Sequence, residues 1–245
     1  MLRRALAALL LVGLLAACGG AGGEAGEDPT ARLWVTRDRG AHVVLTATVP
    51  AGLTVMQALQ READVETRFG GRFVEAIEGV EGSLAEQRDW FYFVNGIEPD
   101  VGAAEVRLGE GDVAWWDYRS WGEQMAQPVV VGAFPEPFLH GWGDTRRPVV
   151  VSAPPAFAAQ AQALRRFLRT GGSGEPNIFV LQVLKGARGA TLTATRGEAN
   201  DAPVTFKLAG SLPAVRAAAE TLVSRPASIR FLYEARFDDQ GRVVR

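Results

Sequence analysis

Cysteine, histidine and lysine are scarce in this sequence of 245 residues, which has one cysteine, two histidines and only two lysines. A single cysteine cannot form an internal disulfide, and His42 and His140 are too few for a multi-histidine metal site. A surplus of positive charge is also missing, since 26 basic residues face 28 acidic ones. The sequence therefore predicts neither a metal cofactor nor a nucleic-acid partner.

Familiar catalytic motifs are absent as well. The chain has no Gly-X-Ser-X-Gly nucleophile elbow, no Walker loop and no His-Glu-X-X-His segment. Its glycine-rich stretch at 171–174 precedes a predicted strand rather than a helix, which indicates a linker rather than a phosphate site. We therefore expect a protein that is not an enzyme. An enzyme of unrecognised type is the third alternative, after the two binding roles given below.

The N-terminal segment predicts where the protein works. Residues 1–4 carry two arginines, and residues 5–15 form an apolar run of signal-peptide length, too short to cross a bilayer comfortably. The following Leu15-Ala16-Ala17-Cys18 resembles the lipobox of bacterial lipoproteins. This resemblance implies cleavage before Cys18 and lipid attachment to it, and hence an extracytoplasmic protein anchored to the bacterial cell membrane. The alternative is an ordinary secreted protein with a chance cysteine at the cleavage site.

Composition divides the rest of the chain into two zones, because all six tryptophans lie before Gly143. A stretch rich in proline and glycine separates the zones. The predicted segments are a signal peptide at 1–17, a flexible tether at 18–32, a first domain at 33–122, a Pro/Gly-rich connection at 123–147 and a second domain at 148–245.

Hydrophobic periodicity predicts the fold class α+β. In the first domain, a hairpin, one helix and further strands favour a mixed sheet grasping that helix. In the second, two helices against four to six strands favour a small layered structure. The predicted strands are 33–36, 42–49, 73–80, 90–94, 106–108, 113–118, 149–151, 178–184, 191–195, 204–208, 229–233 and a short one after the turn 238–241. Three helices are predicted. The first begins at Thr54, the second extends over 155–170, and the third begins at Ser211.

Two aromatic stretches, at 90–96 and 111–121, are where a functional site is expected. Side chains alternate across a strand, so Trp90 and Tyr92 face one way and Phe91 and Phe93 the other. Residues 113, 115 and 117 likewise share one face, and residues 114, 116 and 118 the opposite one. A small sheet has one core face, so the second aromatic set needs a cover: a ligand, a partner, the second domain or the connection.

The candidate ligand- or partner-binding residues are Trp90, Tyr92, Asn95, Trp115, Trp116, Asp117, Tyr118 and Trp121. The alternative is purely structural, with aromatic pairs stabilising the sheet and residues 128–142 folding back over them. Asn95 followed by Gly96 is most simply a hairpin turn. Asp117, between two aromatic residues, needs a hydrogen-bonding partner such as Arg119 or a ligand.

The same stretches carry a family resemblance. Together, 55–59, 90–96 and 109–116 resemble the transcobalamin-like C-terminal domain family, a bacterial extracytoplasmic domain of unknown function similar to the C-terminal domain of transcobalamin and intrinsic factor. The resemblance covers roughly 33–122 and implies a β-grasp-like domain that binds a ligand. In the vitamin carriers that domain closes over cobalamin, with a separate helical domain on the other side of the site. This sequence lacks the helical domain, so a corrinoid is one candidate ligand only.

Two hypotheses follow from these observations. The first is a membrane-anchored binding lipoprotein that presents its aromatic surface to a small flat or amphipathic molecule. The second is an interaction or structural module of the cell envelope, whose aromatic surface docks onto another envelope or transporter protein, or onto the second domain, with no small ligand.

Overall fold

A computed structural model of the protein describes residues 28–122, 124–143, 145–169, 171–197 and 202–245. The fold class is α+β, as predicted: three open sheets carry most of the structure, and four α-helices accompany them in the described residues. The predicted signal peptide, Cys18 and most of the predicted tether lie outside the described residues. No helix among the described ranges has the length and apolar character that a membrane span requires.

The first sheet has four strands, which are β1 (Thr30–Arg37), β2 (His42–Pro50), β6 (Arg88–Val94) and β7 (Val113–Ser120). Their order across the sheet is β2-β1-β7-β6. The central strands β1 and β7 are parallel, whereas β2 and β6 pair antiparallel at the two edges. The predicted strand at 33–36 begins earlier, at Thr30, because Thr30 and Ala31 already pair with β2.

One face of this sheet is covered by α1 (Val55–Glu62). The helix begins where predicted, because Thr54 and Gln57 form a capping box in which each side chain bonds the other's backbone N–H. A small antiparallel sheet lies beside it. This sheet consists of β3 (Val65–Arg68), β4 (Phe73–Ile77) and β5 (Val80–Glu81).

Two predicted strands of this region differ in the structure. The prediction of one strand over 73–80 is wrong, since Glu78 and Gly79 both have positive φ and turn the chain into a β4–β5 hairpin. The prediction of a strand at 106–108 is also wrong: this segment makes a single bridge, between Arg107 and Thr54, and runs past the start of α1.

The second sheet is mixed and has six strands, which are β8 (Val149–Ser152), β9 (Asn177–Val183), β10 (Ala190–Arg196), β11 (Val204–Gly210), β12 (Ala235–Phe237) and β13 (Val243–Val244). Their order across the sheet is β13-β12-β10-β11-β9-β8. The buried face of this sheet packs against two helices, α3 (Ala158–Phe167) and α4 (Leu212–Ser224), in the number predicted. Ser211 caps α4, as its position before the apolar pattern predicts.

The predicted strand at 229–233 is wrong. A 3-10 helix, Pro226–Ile229, occupies its start, and Phe231 follows with a φ of 68°. This irregular segment sends the Phe231 and Tyr233 rings towards the first sheet instead of pairing with a neighbouring strand. Phe231 and Tyr233 thus contact the first sheet, whereas Ile229 lies in the core of the second.

The described residues of the predicted connection, 124–143 and 145–147, include several that pack into the two cores. It contains a 3-10 helix, Val131–Ala133, and the four-residue α2 (Glu136–Leu139). Phe134 and Phe138 lie in the core of the second sheet, against Phe179 and Phe206. The connection is therefore part of both cores and not a loose linker.

Candidate functional site

The strand register divides the aromatic candidates between two faces of the first sheet. Trp115 pairs with Trp34 on one side and Phe93 on the other, so these three share a face. Trp116 pairs with Tyr92 and therefore lies on the opposite face. Because the eight candidates are split in this way, they cannot all contact one ligand.

The face that carries Trp115 is covered by the C-terminal part of the chain. We call Trp34, Phe93, Trp115 and Asp117 the covered face. The Trp115 ring lies edge-on to Phe231 and Tyr233, with centroids 6.1 and 5.6 Å away. Trp115 is 0% exposed. Phe231 and Tyr233 lie in the predicted second domain, and Val130 and Ala133 of the predicted connection belong to the same buried cluster. Two of the covers that the sequence leaves open are therefore combined here.

A buried polar network fixes this contact. Asp117 accepts hydrogen bonds from the Thr36 hydroxyl at 2.6 Å, the Gly40 N–H at 3.1 Å and the Tyr233 hydroxyl at 2.8 Å. Thr36 in turn accepts one from the Trp115 indole N–H at 2.7 Å. The expectation that Asp117 needs a partner is met from within the chain, and that partner is not Arg119. The network leaves Asp117 with no role that requires a ligand.

Burial and the adjacent Asp117 carboxylate raise the pKa of Tyr233 well above its usual value. The phenol therefore stays protonated and continues to donate to Asp117 over the ordinary pH range.

Arg119 is buried and holds the next loop. Its guanidinium donates to the carbonyl oxygens of Gln124 and Met125 at 2.9 and 2.8 Å and lies 3.7 Å from the Phe91 ring centroid. It also pairs with Glu98 at 3.3 Å. This group fixes the position of Glu98, which contributes to the site described next.

An aromatic cleft opens where β6, β4 and the loop 98–103 meet. Its volume is about 250 Å³. Trp90 and Trp116 in its wall are almost fully buried, whereas Tyr92 is partly exposed and Phe73 is 45% exposed. The residues that line the aromatic cleft are Arg72, Phe73, Val74, Asp89, Trp90, Phe91, Tyr92, Glu98, Pro99, Gly102, Ala103 and Trp116.

The polar groups of this wall are positioned by the backbone. The Tyr92 hydroxyl donates to the Val101 carbonyl at 2.6 Å, and the Trp90 indole N–H donates to the Val80 carbonyl at 2.7 Å. The Trp116 indole N–H is buried and has no acceptor among the described residues. The aromatic planes of Tyr92 and Trp116 stack with their centroids 5.0 Å apart, which gives the cleft a flat apolar wall.

Two carboxylates of the cleft are less acidic than usual. Burial raises the pKa of Asp89, although the Trp90 backbone N–H donates to its Oδ1 at 2.8 Å. Burial likewise raises the pKa of Glu98, against the opposing effects of Arg119 and the Gln127 N–H. Glu98 is neutralised by Arg119, but no ion pair to Asp89 occurs within the described residues. Asp89 is the carboxylate available to a cationic ligand.

Sequence reasoning missed Phe73, Arg72, Asp89 and Glu98 as parts of one site. The signal for Asp89 was present, since a carboxylate directly precedes the aromatic stretch of β6. Phe73 begins the predicted strand 73–80, and nothing in its neighbourhood predicts that β4 lies beside β6.

Three other predicted residues have different surroundings. Trp121 follows the end of β7 and lines a neighbouring recess of about 200 Å³, which shares Phe73 and Asp89 with the aromatic cleft. Tyr118 donates to the Glu81 carbonyl at 2.9 Å and belongs to the core under α1. Asn95 forms the predicted turn with Gly96, both at positive φ.

The Asn95 side chain does more than form the turn. Its amide donates to Asp112 at 2.7 Å and to the Gly141 carbonyl at 3.0 Å, and its oxygen accepts from the Val113 N–H at 2.9 Å. Asn95 thereby joins the β6 hairpin to the start of β7 and to the connection. Its role in the described structure is to hold these segments together.

A separate open recess of about 400 Å³ lies at this junction and includes His140. Glu136, which is buried, bonds His140 Nδ1 at 2.8 Å and also pairs with Arg32. This hydrogen bond raises the pKa of His140. No cluster of three or more Cys, His, Asp or Glu side chains able to hold a metal ion occurs in the described part of the chain.

Fold and site together define an α+β protein with one aromatic sheet face covered internally and an aromatic cleft at the sheet's edge. Residues 52–120 match the family profile described as "Domain of unknown function (DUF4430)". This match begins after β2 and ends at the last residue of β7. No curated protein matches the chain.

Two solved structures are similar over part of the chain. One is a candidate metal-binding protein from Ruminococcus gnavus, 12% identical, with 38% of this chain and 97% of that chain covered and a TM-score of 0.29. The other is haptocorrin in complex with Cbi, 16% identical, with 37% of this chain and 25% of that chain covered and a TM-score of 0.29. Both likenesses are weak.

Proposed function

We propose that this protein is a membrane-anchored, extracytoplasmic, non-enzymatic binding protein whose aromatic cleft holds a small flat or amphipathic ligand. The observation that carries the proposal is the cleft itself: a concave apolar wall with a few fixed polar groups, which is the usual composition of a ligand site. Phe73 lies at the rim of the cleft, and its large apolar ring is 45% exposed. A ligand that covers this ring removes apolar surface from water, which favours binding.

The size of the cleft limits the ligand. At about 250 Å³ it lies just below the roughly 300–1,000 Å³ of pockets that enclose drug-sized molecules. One ring or one short chain fits inside the cleft, and a larger molecule could insert only one of its edges. A corrinoid, which is much larger than the cleft, is therefore a candidate only if part of it remains outside.

The ligand proposal is tested by titrating the whole chain with cobinamide, haem and the dye 8-anilinonaphthalene-1-sulfonate while following tryptophan fluorescence and bound mass. We expect saturable binding of at least one of these probes, and a loss of ten-fold or more in affinity in Phe73→Ala. The matched control is Phe69→Ala, since Phe69 is 80% exposed and lies outside the cleft. Equal loss in both variants, or no binding at high micromolar concentration, would refute the proposal.

The anchor is tested separately from the ligand. We expect a radiolabelled or clickable fatty acid to be incorporated into the wild-type protein in bacterial cells, and not into Cys18→Ser, because the thiol is the attachment point. Release of unlabelled wild-type protein into the medium would instead support an ordinary secreted protein.

The alternative role is an interaction module without a small ligand, and the contacts made by the covered face support it. There the aromatic side chains are already used to bind the C-terminal part of the same chain. If Phe73→Ala loses a specific envelope or transporter protein in cross-linking but binds the small probes unchanged, the cleft is a protein-docking surface.

A further inference from the structure

Among the residues that the structure describes, no strand pairs with the middle of the outer edge of β6. β6 is the last strand of the first sheet, and its inner edge pairs with β7. At one end of the outer edge, Arg88 and Ser83 exchange both backbone hydrogen bonds, at 2.9 and 2.8 Å. At the other end, Val94 and Ile97 do the same, at 2.8 and 2.9 Å. Between them the edge borders the aromatic cleft.

Alternation along the strand identifies the backbone groups that point outward. Because Arg88 and Val94 use their N–H and C=O groups on the outer edge, Trp90 and Tyr92 must do so too. The Trp90 N–H is occupied by the Asp89 carboxylate. The Trp90 carbonyl and both backbone groups of Tyr92 have no hydrogen-bond partner among the described residues. A donor and two acceptors are thus lined up along a wall of the cleft.

We infer that the ligand of the aromatic cleft is a short, extended peptide that adds to the edge of β6 as an antiparallel strand. This inference rests on the proposed ligand-binding function and names its ligand class. In an antiparallel ladder one peptide residue exchanges two hydrogen bonds with Tyr92, and the residue two positions further on donates to the Trp90 carbonyl. The closed ends at Arg88 and Val94 limit the added strand to about three to five residues.

The side chains of the cleft specify the peptide further. A residue opposite Tyr92 places its side chain on the side of Tyr92 and Trp116, where an apolar or aromatic group fits against the stacked rings. The next peptide residue points to the other side of the sheet, the side of Phe91 and Asp89. A basic residue there faces Asp89, the cleft carboxylate that makes no ion pair among the described residues.

Charge supports a basic residue at the middle position. The cleft has three charged side chains: Arg72, Asp89 and Glu98. Glu98 is already paired with Arg119, so Asp89 is the anion left to pair with a ligand. Arg72 opposes a second cation on the peptide, which favours a single basic residue between uncharged ones.

The test uses the whole chain and three synthetic peptides, measured by calorimetry and by tryptophan fluorescence. They are acetyl-Phe-Arg-Phe-amide, acetyl-Phe-Glu-Phe-amide and a form of the first that is N-methylated at both phenylalanines. We expect the Arg peptide to bind at least ten-fold more tightly than the Glu peptide, because only Arg pairs with Asp89. N-methylation should abolish binding, because it removes the donors to Tyr92 and Trp90.

Two outcomes separate this inference from the proposed function. Asp89→Asn keeps an oxygen for the Trp90 N–H, and it should reduce the preference for Arg over Glu to about two-fold or less while leaving the unfolding midpoint unchanged. Equal binding of all three peptides, or none, overturns the peptide inference. If the small probes still bind in a Phe73-dependent way, the cleft remains a ligand site; if neither class binds, both proposals fail.

Discussion

The covered face and the aromatic cleft are built from the same residue types in neighbouring positions of β6 and β7, yet they differ in how their polar atoms are used. On the covered face, the indole N–H of Trp115 and the carboxylate of Asp117 are both bonded within the chain. In the cleft, the Trp116 indole N–H and the Tyr92 backbone have no such partner among the described residues. An aromatic set with all its polar atoms satisfied is an internal contact, whereas one with unused groups and an exposed ring is a candidate for binding.

This contrast changes which tryptophans should matter for function. Trp115 has the largest fully buried side chain of the described residues, and its contribution should be to stability alone. Binding should depend instead on Phe73, Tyr92 and Asp89. Substitutions on the two sides can therefore be compared directly for their effects on unfolding and on ligand affinity.

The largest expected effect is on the covered face. Trp115→Ala should lower the free energy of unfolding by about 3–5 kcal/mol, because it removes a fully buried indole and leaves a cavity. Denaturant unfolding followed by circular dichroism measures this change. Trp121→Ala is the control, because Trp121 follows β7 and is partly exposed, and it should cost less than about 1 kcal/mol. Similar costs for the two would show that the covered face is not a packed core.

The next prediction tests how closely the turn at Gly40 approaches the backbone of Phe231. A Cβ at Gly40 would overlap the Phe231 carbonyl group, so Gly40→Ala forces the contact apart. Gly52→Ala is the matched control, because Gly52 has a similar positive φ, 87° against 81°, and open space around it. We expect Gly40→Ala to destabilise the protein by about 1–3 kcal/mol more than Gly52→Ala. Equal thermal midpoints would mean that backbone strain alone matters.

An effect of comparable size is expected from the Tyr233–Asp117 hydrogen bond. Tyr233→Phe should cost about 1.5–3 kcal/mol at neutral pH, since it removes a bond to a buried charge. The raised pKa of Tyr233 adds a pH dependence. Its stabilisation is fully present below the unfolded value of about 10 and is lost as the pH rises above it.

Unfolding titrations should therefore show a steeper fall above about pH 10 in wild type than in Tyr233→Phe. Tyr92→Phe is a useful comparison, because burial also raises the pKa of Tyr92, but its hydroxyl donates to a neutral carbonyl. Parallel alkaline falls in wild type and Tyr233→Phe would contradict the assignment.

The smallest effect is expected for His140, which lies outside both the covered face and the aromatic cleft. Its pKa is raised by the hydrogen bond to Glu136. Its stabilisation is therefore fully present below the unfolded value of about 6.5 and is lost as the pH rises through the folded value. The effect should stay below about 1 kcal/mol, because the side chain is 32% exposed. We expect His140→Gln to remove this pH dependence from the free energy of unfolding. His42→Gln should leave it in place.

Local chemistry in the sequence predicted much of this structure. Alternation placed Trp90 and Tyr92 on the face opposite to Phe93, as the register with β7 confirms. The capping role of Thr54 and the turn at Asn95 also follow from short-range rules. These features depend on residues within a few positions of one another, which a sequence displays directly.

Long-range contacts could not be predicted in the same way. Nothing local indicates that β1 and β7 pair in parallel across some eighty residues, or that β4 lies beside the free edge of β6. The segment 229–233 shows the same limit. Its apolar residues predict a strand, but Phe231 has a φ of 68° and packs its ring against Trp34 and Trp115. The cleft is formed by three separate segments, and for this reason the sequence does not predict it.

The place of β1 has a mechanical consequence. The strand begins at Thr30 and lies between β2 and β7, so it is bonded along both sides. A pull on the chain ahead of Thr30 acts along the strand and loads many backbone hydrogen bonds at once. An edge strand pulled outward would release them one after another. A tether attached at this end would therefore transmit tension to a central strand that is hydrogen-bonded on both sides.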